Sequence, residues 1–218
     1  MSRRTTWQCA SLLLDYPSEE LVGSLPTIRS AVAGLPDTMA APLLGFIEHL
    51  AGSDLADLQA TYVDTFDDRR RCNLFLTYFA HGDTRKRGMA LLRFKQAYLG
   101  AGVVPDDAEL PDHLSVVLEF AATVDPDAGR RLLEDHRAGL EVLRLSLRDL
   151  ASPYAGVLEA VCATLPALRG DEWDAVRRLA AAGPPEEEVG LTPYGTPGFD
   201  AALTDRQVDL PMPTVRGA

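Results

Sequence analysis

The side chains best suited to chemistry lie between Tyr62 and Gly88, where the sequence reads YVDTFDDRRRCNLFLTYFAHGDTRKRG. A pair of aspartates precedes three arginines, an apolar and aromatic run follows, and a second basic cluster closes the stretch. Such a combination is compatible with a nucleic-acid patch, a phosphate site, a metal site or a surface for a partner chain. The rest of the sequence has to decide between these four uses.

The charge balance argues against nucleic acid. Residues 69–95 hold 8 of the 21 basic residues, including both lysines, against one acid, Asp83. This window carries +7, so the remainder of the chain carries −11 − 7 = −18. An acidic surface opposes the counterion release that drives binding to nucleic acid. Arginine forks suit bidentate contacts, so a phosphate or acidic-peptide site stays open, as do solvated helix faces that offset nearby acids.

A metal-dependent phosphohydrolase built on His81, Asp83, Asp112 and His113 is the enzymatic alternative. No two histidines of the chain have the i, i+4 spacing of a helical zinc site, and the common phosphate-loop and nucleophile motifs are absent from the sequence. Asp112 also has a simpler interpretation as the N-cap of a following helix. We therefore expect a protein that is not an enzyme and binds no metal or cofactor of its own.

Cysteine usage and the N-terminal residues both predict a cytoplasmic protein. The three cysteines are an odd number without a CxxC pair, which is typical of a reducing compartment. Arg3-Arg4 resembles the start of a twin-arginine export signal, but the segment after it lacks the uninterrupted apolar run of roughly 7–15 residues that such a signal needs. No segment approaches the ~18 apolar residues needed to cross a bilayer.

Helical periodicity predicts the elements that must position these side chains. Apolar residues recur at helical spacing from residue 5 to residue 182, without convincing strand alternation, so we predict one all-helical domain over residues 1–182. The last 36 residues, 183–218, hold 6 of the 15 prolines and 5 of the 17 glycines, which predicts an irregular or disordered tail. The predicted helix starts, given as N-caps, are Ser18, Asp37, Ser53 or Asp54, Asp83 or Thr84, Asp112 and Ser152.

Two sequence blocks resemble a known family. They are YVDTFDDRRRCNLFLTYFAHGDTRKRGMALLRFKQAYLGAG from Tyr62 and the later ELPDHLSVVLEFAA. Together they look like the signature of the NarJ-type nitrate reductase assembly chaperones, within the TorD/DmsD group of redox-enzyme maturation proteins. The motifs are Tyr62-x-x-x-Phe66-Asp67, and Pro111 to Leu114 followed by Glu119-Phe120. The resemblance is dense over residues 57–122.

This resemblance implies a helical bundle without catalysis of its own. Members hold the N-terminal segment of the molybdenum-containing catalytic subunit of nitrate reductase until the molybdenum cofactor and an iron–sulfur cluster are inserted, before membrane docking. A sister role for another molybdoenzyme is the alternative within the group. A basic amphipathic segment would lay its apolar face in a groove, attracted by the acidic body. We expect no nucleic acid, no membrane insertion, and a monomer or weak homodimer.

The residues and the resemblance together predict the peptide-binding side chains. Most keep a structural alternative: Tyr62 and Phe66 suit core packing as well as a groove floor, and Asp64 and Asp67 suit helix ends as well as a rim. The arginines could form buried pairs with nearby acids, or contact an acidic part of the partner or the phosphate of the pterin cofactor. The predicted set is Tyr62, Asp64, Phe66, Asp67, Arg70, Arg71, Leu76, Tyr78, Asp83, Arg85, Arg87, Asp112, His113, Leu114, Glu119 and Phe120.

Overall fold

Helices make up nearly all of the regular structure, as the periodicity predicts. The computed structural model describes residues 2–82, 84–105 and 109–183, which all fall within one unit spanning Met1–Glu186. The helices are α1 (Ser2–Leu13), α2 (Glu19–Val32), α3 (Asp37–Ala51), α4 (Leu55–Phe66), α5 (Tyr78–His81), α6 (Arg85–Gly100), α7 (Leu114–Thr123), α8 (Pro126–Asp135), α9 (Arg137–Asp149), α10 (Ala155–Ala163) and α11 (Gly170–Ala182). A short 3-10 turn, Arg70–Cys72, follows α4.

The fold class predicted from the sequence, all-α, is confirmed. None of the described helices has both the length and the apolarity needed to span a bilayer. The predicted irregular tail lies outside the described residues from position 184 onward, so the boundary at residue 182 and the character of the tail stay predictions.

The core forms around α1, which packs against α7 and α10. Trp7 is completely buried, and its indole Nε1 donates a hydrogen bond to Thr164 Oγ1 at 2.9 Å. Helix α10 also packs on α3, α7 packs on α8, and α9 lies between α10 and α11. Residues distant in the sequence therefore share one apolar interior, as burial of amphipathic faces requires.

Not every predicted N-cap is correct. Ser18 caps α2 as expected, because its Oγ accepts from the backbone N–H of Leu21 at 3.2 Å. Asp37 is wrong, since it is already the first residue of α3 and Pro36 holds the cap position. Ser152 is also wrong: the chain forms a turn there and α10 starts three residues later. Both errors shift a helix start by a few residues, which local sequence signals do not resolve.

Asp112 is the informative error. Its carboxylate does not cap α7, whose cap position is held by His113. Instead, Asp112 Oδ2 accepts hydrogen bonds from Thr77 N at 3.1 Å and from Thr77 Oγ1 at 2.6 Å. Arg87 Nη2 lies 3.7 Å from the same oxygen. Asp112 therefore serves the short helix α5, whose cap position is Thr77, across a gap of 35 residues.

Backbone hydrogen bonds join the same two segments. The N–H of Leu76 donates to the carbonyl of Asp112 at 3.0 Å, and the N–H of Leu114 donates to the carbonyl of Leu74 at 2.9 Å. The two segments run antiparallel here, with an isolated β-bridge between Phe75 and His113. We call residues 74–77 and 112–114, with this pairing, the Asp112 junction. It fixes the loop before α7 against the segment that follows α4.

Candidate functional site

A groove of about 620 Å³ opens where α1 and α4 end beside the Asp112 junction and the start of α7. It is formed by residues from four separate parts of the chain. The lining residues are Ser11, Leu12, Asp15, Tyr16, Tyr62, Phe66, Asp67, Asn73, Leu74, Phe75, Glu109, His113, Ser115, Val116 and Glu119. This volume lies within the range of ligand sites in proteins.

The floor of the groove is aromatic. Tyr62 and Phe66, one helical turn apart on α4, have ring centroids 4.9 Å apart, and Phe66 packs edge-on against Tyr154 at 4.8 Å. Tyr62 Oη donates to the carbonyl of Leu14 at 3.2 Å, and Tyr16 contacts the Tyr62 ring edge-on at 5.4 Å. Burial raises the pKa of the Tyr62 phenol above its ordinary value, so this side chain stays neutral. Tyr62 and Phe66 thus pack in the core and also line the groove, while their contact with a peptide stays a prediction.

The rim is acidic. Asp15, Asp67, Glu109 and Glu119 all line the groove and are exposed, while none of the lining residues that the structure describes is a lysine or arginine. None of the four forms an ion pair with any residue in the described part of the chain. A concave site bordered by one sign of charge concentrates ligands of the opposite sign. The groove is therefore suited to cationic side chains.

His113 stands at the wall of the groove as a neutral group. Its Nδ1 lies 2.6 Å from Ser115 Oγ, and its ring packs edge-on against Phe75 at 5.1 Å. Burial lowers the pKa of His113, an effect that Glu109, Asp112 and Asp15 oppose. At neutral pH the imidazole therefore adds no positive charge to the acidic rim.

The groove continues into an apolar cleft of about 470 Å³. Glu109, Val116 and Glu119 line both spaces, so the two are contiguous. The remaining lining of the apolar cleft is Tyr98, Val103, Val104, Pro105, Pro111, Phe120, Thr123 and Val124. One end of the combined groove thus offers carboxylates and aromatic rings, and the other offers aliphatic side chains.

Six of the predicted site residues reach this combined groove. They are Tyr62, Phe66, Asp67, His113, Glu119 and Phe120. Leu76, Asp112 and Leu114 lie in the Asp112 junction, at most 2% exposed, so in this conformation they support the groove wall from beneath. Contact of any of these residues with a peptide stays a prediction.

The other predicted residues that the structure describes do not belong to the groove lining. Asp64 forms a surface ion pair with Arg69 at 2.8 Å. Arg70 donates from Nε to the buried Tyr78 Oη at 3.1 Å. Arg87 donates from Nε to Thr77 Oγ1 at 3.1 Å and stacks over Phe75 and Tyr78. Arg71 and Arg85 are exposed, and Asp83 lies outside the described residues.

Three residues that line the groove were not predicted from the sequence: Asp15, Tyr16 and Glu109. Asp15 and Tyr16 lie just after Leu14, beyond the end of the first helix and before Pro17. Glu109 is the first residue of the ELPDHLSVVLEFAA block, and this position was the available signal for it. Nothing local indicated that α1 and α4 end side by side.

Two of the four residues of the phosphohydrolase hypothesis, Asp112 and His113, have other partners in the part of the chain that the structure describes. The Asp112 carboxylate accepts a hydrogen bond from Thr77 Oγ1, and His113 Nδ1 lies within hydrogen-bond distance of Ser115 Oγ. Among the described residues, no group of three or more His, Cys, Asp or Glu side chains converges as metal ligands do. Asp112 and His113 thus have structural partners in place of catalytic ones.

Two histidines with a lowered pKa, the buried His113 and the half-buried His136, predict acid sensitivity. Burial lowers the pKa of both His113 and His136, so the unfolded chain binds more protons than the folded chain at mildly acidic pH. By linkage, the free energy of unfolding should fall as the pH drops below about 6.5, the ordinary histidine pKa. Urea denaturation at pH 7.5 and pH 5.5 measures this. The decrease should be smaller in His113→Gln, and an equal decrease in that variant would contradict a contribution from His113.

Comparison with known proteins gives consistent matches. The family model described as nitrate reductase delta subunit matches residues 32–160. The chain is 35% identical to a Bacillus subtilis protein described as a nitrate reductase molybdenum cofactor assembly chaperone, NarJ, over 75% of this chain and 89% of that protein. It is 33% identical to the Escherichia coli chaperone of the same description, over 66% of this chain and 63% of that protein.

Two further matches extend the range of relatives. The chain is 46% identical to the nitrate reductase-like protein NarX of Mycobacterium tuberculosis, over 72% of this chain, but spans only 24% of that longer protein. A crystal structure from Archaeoglobus fulgidus, described as a redox enzyme maturation protein, superposes with a TM-score of 0.55 at 26% identity. That match covers 73% of this chain and 91% of the archaeal chain.

Proposed function

We propose that this chain, which belongs to the nitrate reductase delta subunit family, is an assembly chaperone for the molybdenum-containing catalytic subunit of a nitrate reductase. The relatives described as molybdenum cofactor assembly chaperones support this role. The observation that carries the proposal is the acid-rimmed aromatic groove continuous with an apolar cleft. That arrangement suits capture of a peptide better than it suits catalysis.

The ligand is the N-terminal segment of the catalytic subunit, bound as a basic amphipathic helix. Its apolar face would lie along Val104, Phe120 and Val124 and over the aromatic floor. Its arginines or lysines would reach Asp67 and Glu119 at the rim. Helix-in-groove recognition of this kind takes its affinity from apolar anchors and its orientation from charge.

Occupation of the groove gives the chaperone its place in assembly. While the segment is held, it is not available for membrane docking, and the subunit remains open to insertion of the molybdenum cofactor and the iron–sulfur cluster. The segment is bound in the cytoplasm. In that reducing compartment the buried thiols of Cys9, Cys72 and Cys162, which form no disulfide, remain reduced.

Titration calorimetry with a peptide copying that N-terminal segment tests the proposal. We expect one-site binding that weakens between 50 mM and 300 mM salt. Neutralising two rim acids in Asp67→Asn/Glu119→Gln should raise the Kd about 5- to 30-fold at low salt, since each partly exposed pair contributes roughly 0.5–1 kcal/mol. The variant Glu20→Gln/Asp149→Asn changes the net charge equally at exposed sites outside the groove lining, and should bind as the wild type does.

Two results would contradict the groove as the binding site. Equal weakening in both double variants would show a general charge effect without a local contact. An absence of binding at every salt concentration, with a folded protein and a soluble peptide, would remove capture of the N-terminal segment and leave only the family membership.

A further inference from the structure

Helix α6 has two apolar faces, and only one of them is buried. Phe94 and Tyr98 face inward, at 0% and 2% exposure, and Tyr98 Oη donates to the carbonyl of Pro111 at 2.6 Å. On the opposite side Met89, Leu92 and Leu99 are 70%, 45% and 56% exposed. Their spacing of three and seven residues aligns them along one side of the helix. We call this side the outer face of α6.

The outer face is also basic. Helix α6 holds five basic residues, including both lysines of the chain, and no acid, so it carries +5 while the rest of the chain carries −11 − 5 = −16. Lys86, Arg93 and Lys95 are exposed and flank the apolar stripe. None of these three forms an ion pair with a residue that the structure describes. An apolar stripe between basic side chains is the chemistry that the acidic groove would bind.

We propose that the outer face of α6 docks in the acidic groove of a second copy of this chain, so that the groove is covered when no client is bound. The docking follows from the complementary charge and apolar character of the outer face of α6 and the groove. That it covers the client site rests on the proposed function. The Met89–Leu92–Leu99 stripe meets the aromatic floor and apolar cleft. Arg93 and Lys95 meet Asp67 and Glu119.

A second copy is required because α6 cannot reach its own groove. Phe94 packs on His136 with ring centroids 5.1 Å apart, and Tyr98 is bonded to Pro111, so the inner face is held against the body. The groove and α6 are nevertheless neighbours, since Tyr98, Val103 and Val104 line the apolar cleft just beyond the helix. A two-fold axis between these adjacent surfaces lets each copy insert α6 into the other and closes the assembly as a dimer.

The contact is expected to be weak and sensitive to salt. Three partly exposed apolar side chains per copy give an interface at the small end of specific complexes. Long-range attraction between the basic helix and the acidic rim accelerates encounter and is screened as ionic strength rises. A client segment with more apolar anchors would therefore displace α6.

Sedimentation equilibrium on the full chain over roughly 1–200 μM, where small interfaces associate weakly, tests the docking. We expect the mass to rise from 23.6 kDa toward twice that value at 50 mM salt, and less so at 300 mM. Reversal of charge in Arg93→Glu/Lys95→Glu should lower the association constant at least tenfold. The control Arg148→Glu/Arg178→Glu changes the net charge equally at exposed positions on α9 and α11, and should associate as the wild type does.

Reversal of charge in the groove distinguishes this contact from other interactions of the outer face of α6. Asp67→Lys/Glu119→Lys should also dissociate the dimer, and combining both reversals in one chain should restore it. Each variant is first compared with the wild type in thermal unfolding, to show that it is folded. A monomer at all concentrations, or a dimer lost on reversal of α6 but kept on reversal of the groove, would overturn the proposal.

Two further measurements identify the alternatives. If the wild type is monomeric but pellets with vesicles containing phosphatidylserine, and Arg93→Glu/Lys95→Glu does not, the outer face binds anionic membrane and the proposal is overturned. The monomeric α6 variant should still bind the N-terminal peptide, more tightly than the wild type at equal concentration. Failure of peptide binding with intact dimerisation would count against the proposed function and not against the dimer.

Discussion

Replacing Asp112 by alanine is expected to lower the free energy of unfolding by about 3–5 kcal/mol, the usual cost of removing one partner from a buried charged pair. Asp112 is completely buried and accepts two hydrogen bonds from Thr77, and the side chain of Arg87 beside it is only 15% exposed. Alanine would leave the Thr77 N–H without this acceptor and the guanidinium without the nearby carboxylate. The Asp112 junction would then lose the side-chain hydrogen bonds that join α5 to the loop before α7.

Urea denaturation followed by circular dichroism measures this loss. Asp68→Ala removes an exposed carboxylate next to the end of α4, and should change stability by no more than about 0.5 kcal/mol. Asp112→Asn keeps the shape and one acceptor oxygen, so its stability should fall between those of the wild type and the alanine variant. An Asp112→Ala protein as stable as the Asp68→Ala protein would show that the junction is held by its backbone hydrogen bonds alone.

Replacing Gly129 by alanine is expected to destabilise the fold by about 1–3 kcal/mol, the cost of forcing extra volume into a packed core. A Cβ at position 129 would lie 2.3 Å from Ala121 Cβ and 2.5 Å from Ala121 Cα, so α8 would have to move away from α7. Because the obstacle includes the backbone of α7, rotation of a side chain cannot relieve it. This steric loss outweighs the gain of up to about 1 kcal/mol that alanine normally brings inside a helix.

Gly88→Ala is the matched control. Gly88 lies inside α6 with nothing within 4 Å of an added Cβ, so the same substitution should stabilise the protein by roughly 0.5–1 kcal/mol. Thermal unfolding of the two variants should therefore shift in opposite directions from the wild type. A Gly129→Ala protein that is stabilised, as Gly88→Ala is expected to be, would contradict the close approach of α7 and α8.

The parts of the fold that depend on neighbours in sequence were predictable. The apolar spacing of Tyr62 and Phe66 placed both residues on one side of α4, and Gly82 ends α5 with a positive φ of 55°, as expected of a glycine at a helix end. Asp67, one of the two aspartates predicted to suit a helix end, is the C-cap of α4. These features follow from periodicity and capping, which act over one or two turns.

The parts that depend on distant residues were not predictable. The partner of Asp112 is Thr77, so the aspartate looked like a local cap although its bonds cross to another segment. The long leucine pattern after Pro126 is divided at His136, where α8 ends and α9 begins. The acidic rim combines Asp15, from the end of α1, with Glu119 of α7. Such contacts are decided by tertiary packing, which overrides local propensity.

The position of α1 has a consequence for how the chain is made. Trp7 and its hydrogen-bond partner Thr164 are separated by 157 residues, and α1 packs against α7 and α10. At about 5–20 residues per second, a ribosome needs roughly 8–30 s to synthesise the residues between them. During that interval α1 can pack only on partners made earlier, such as α2 and α7, and its contact with α10 and Thr164 is missing. A nascent chain stalled before α10 should therefore leave Trp7 more exposed to solvent than it is in the finished fold.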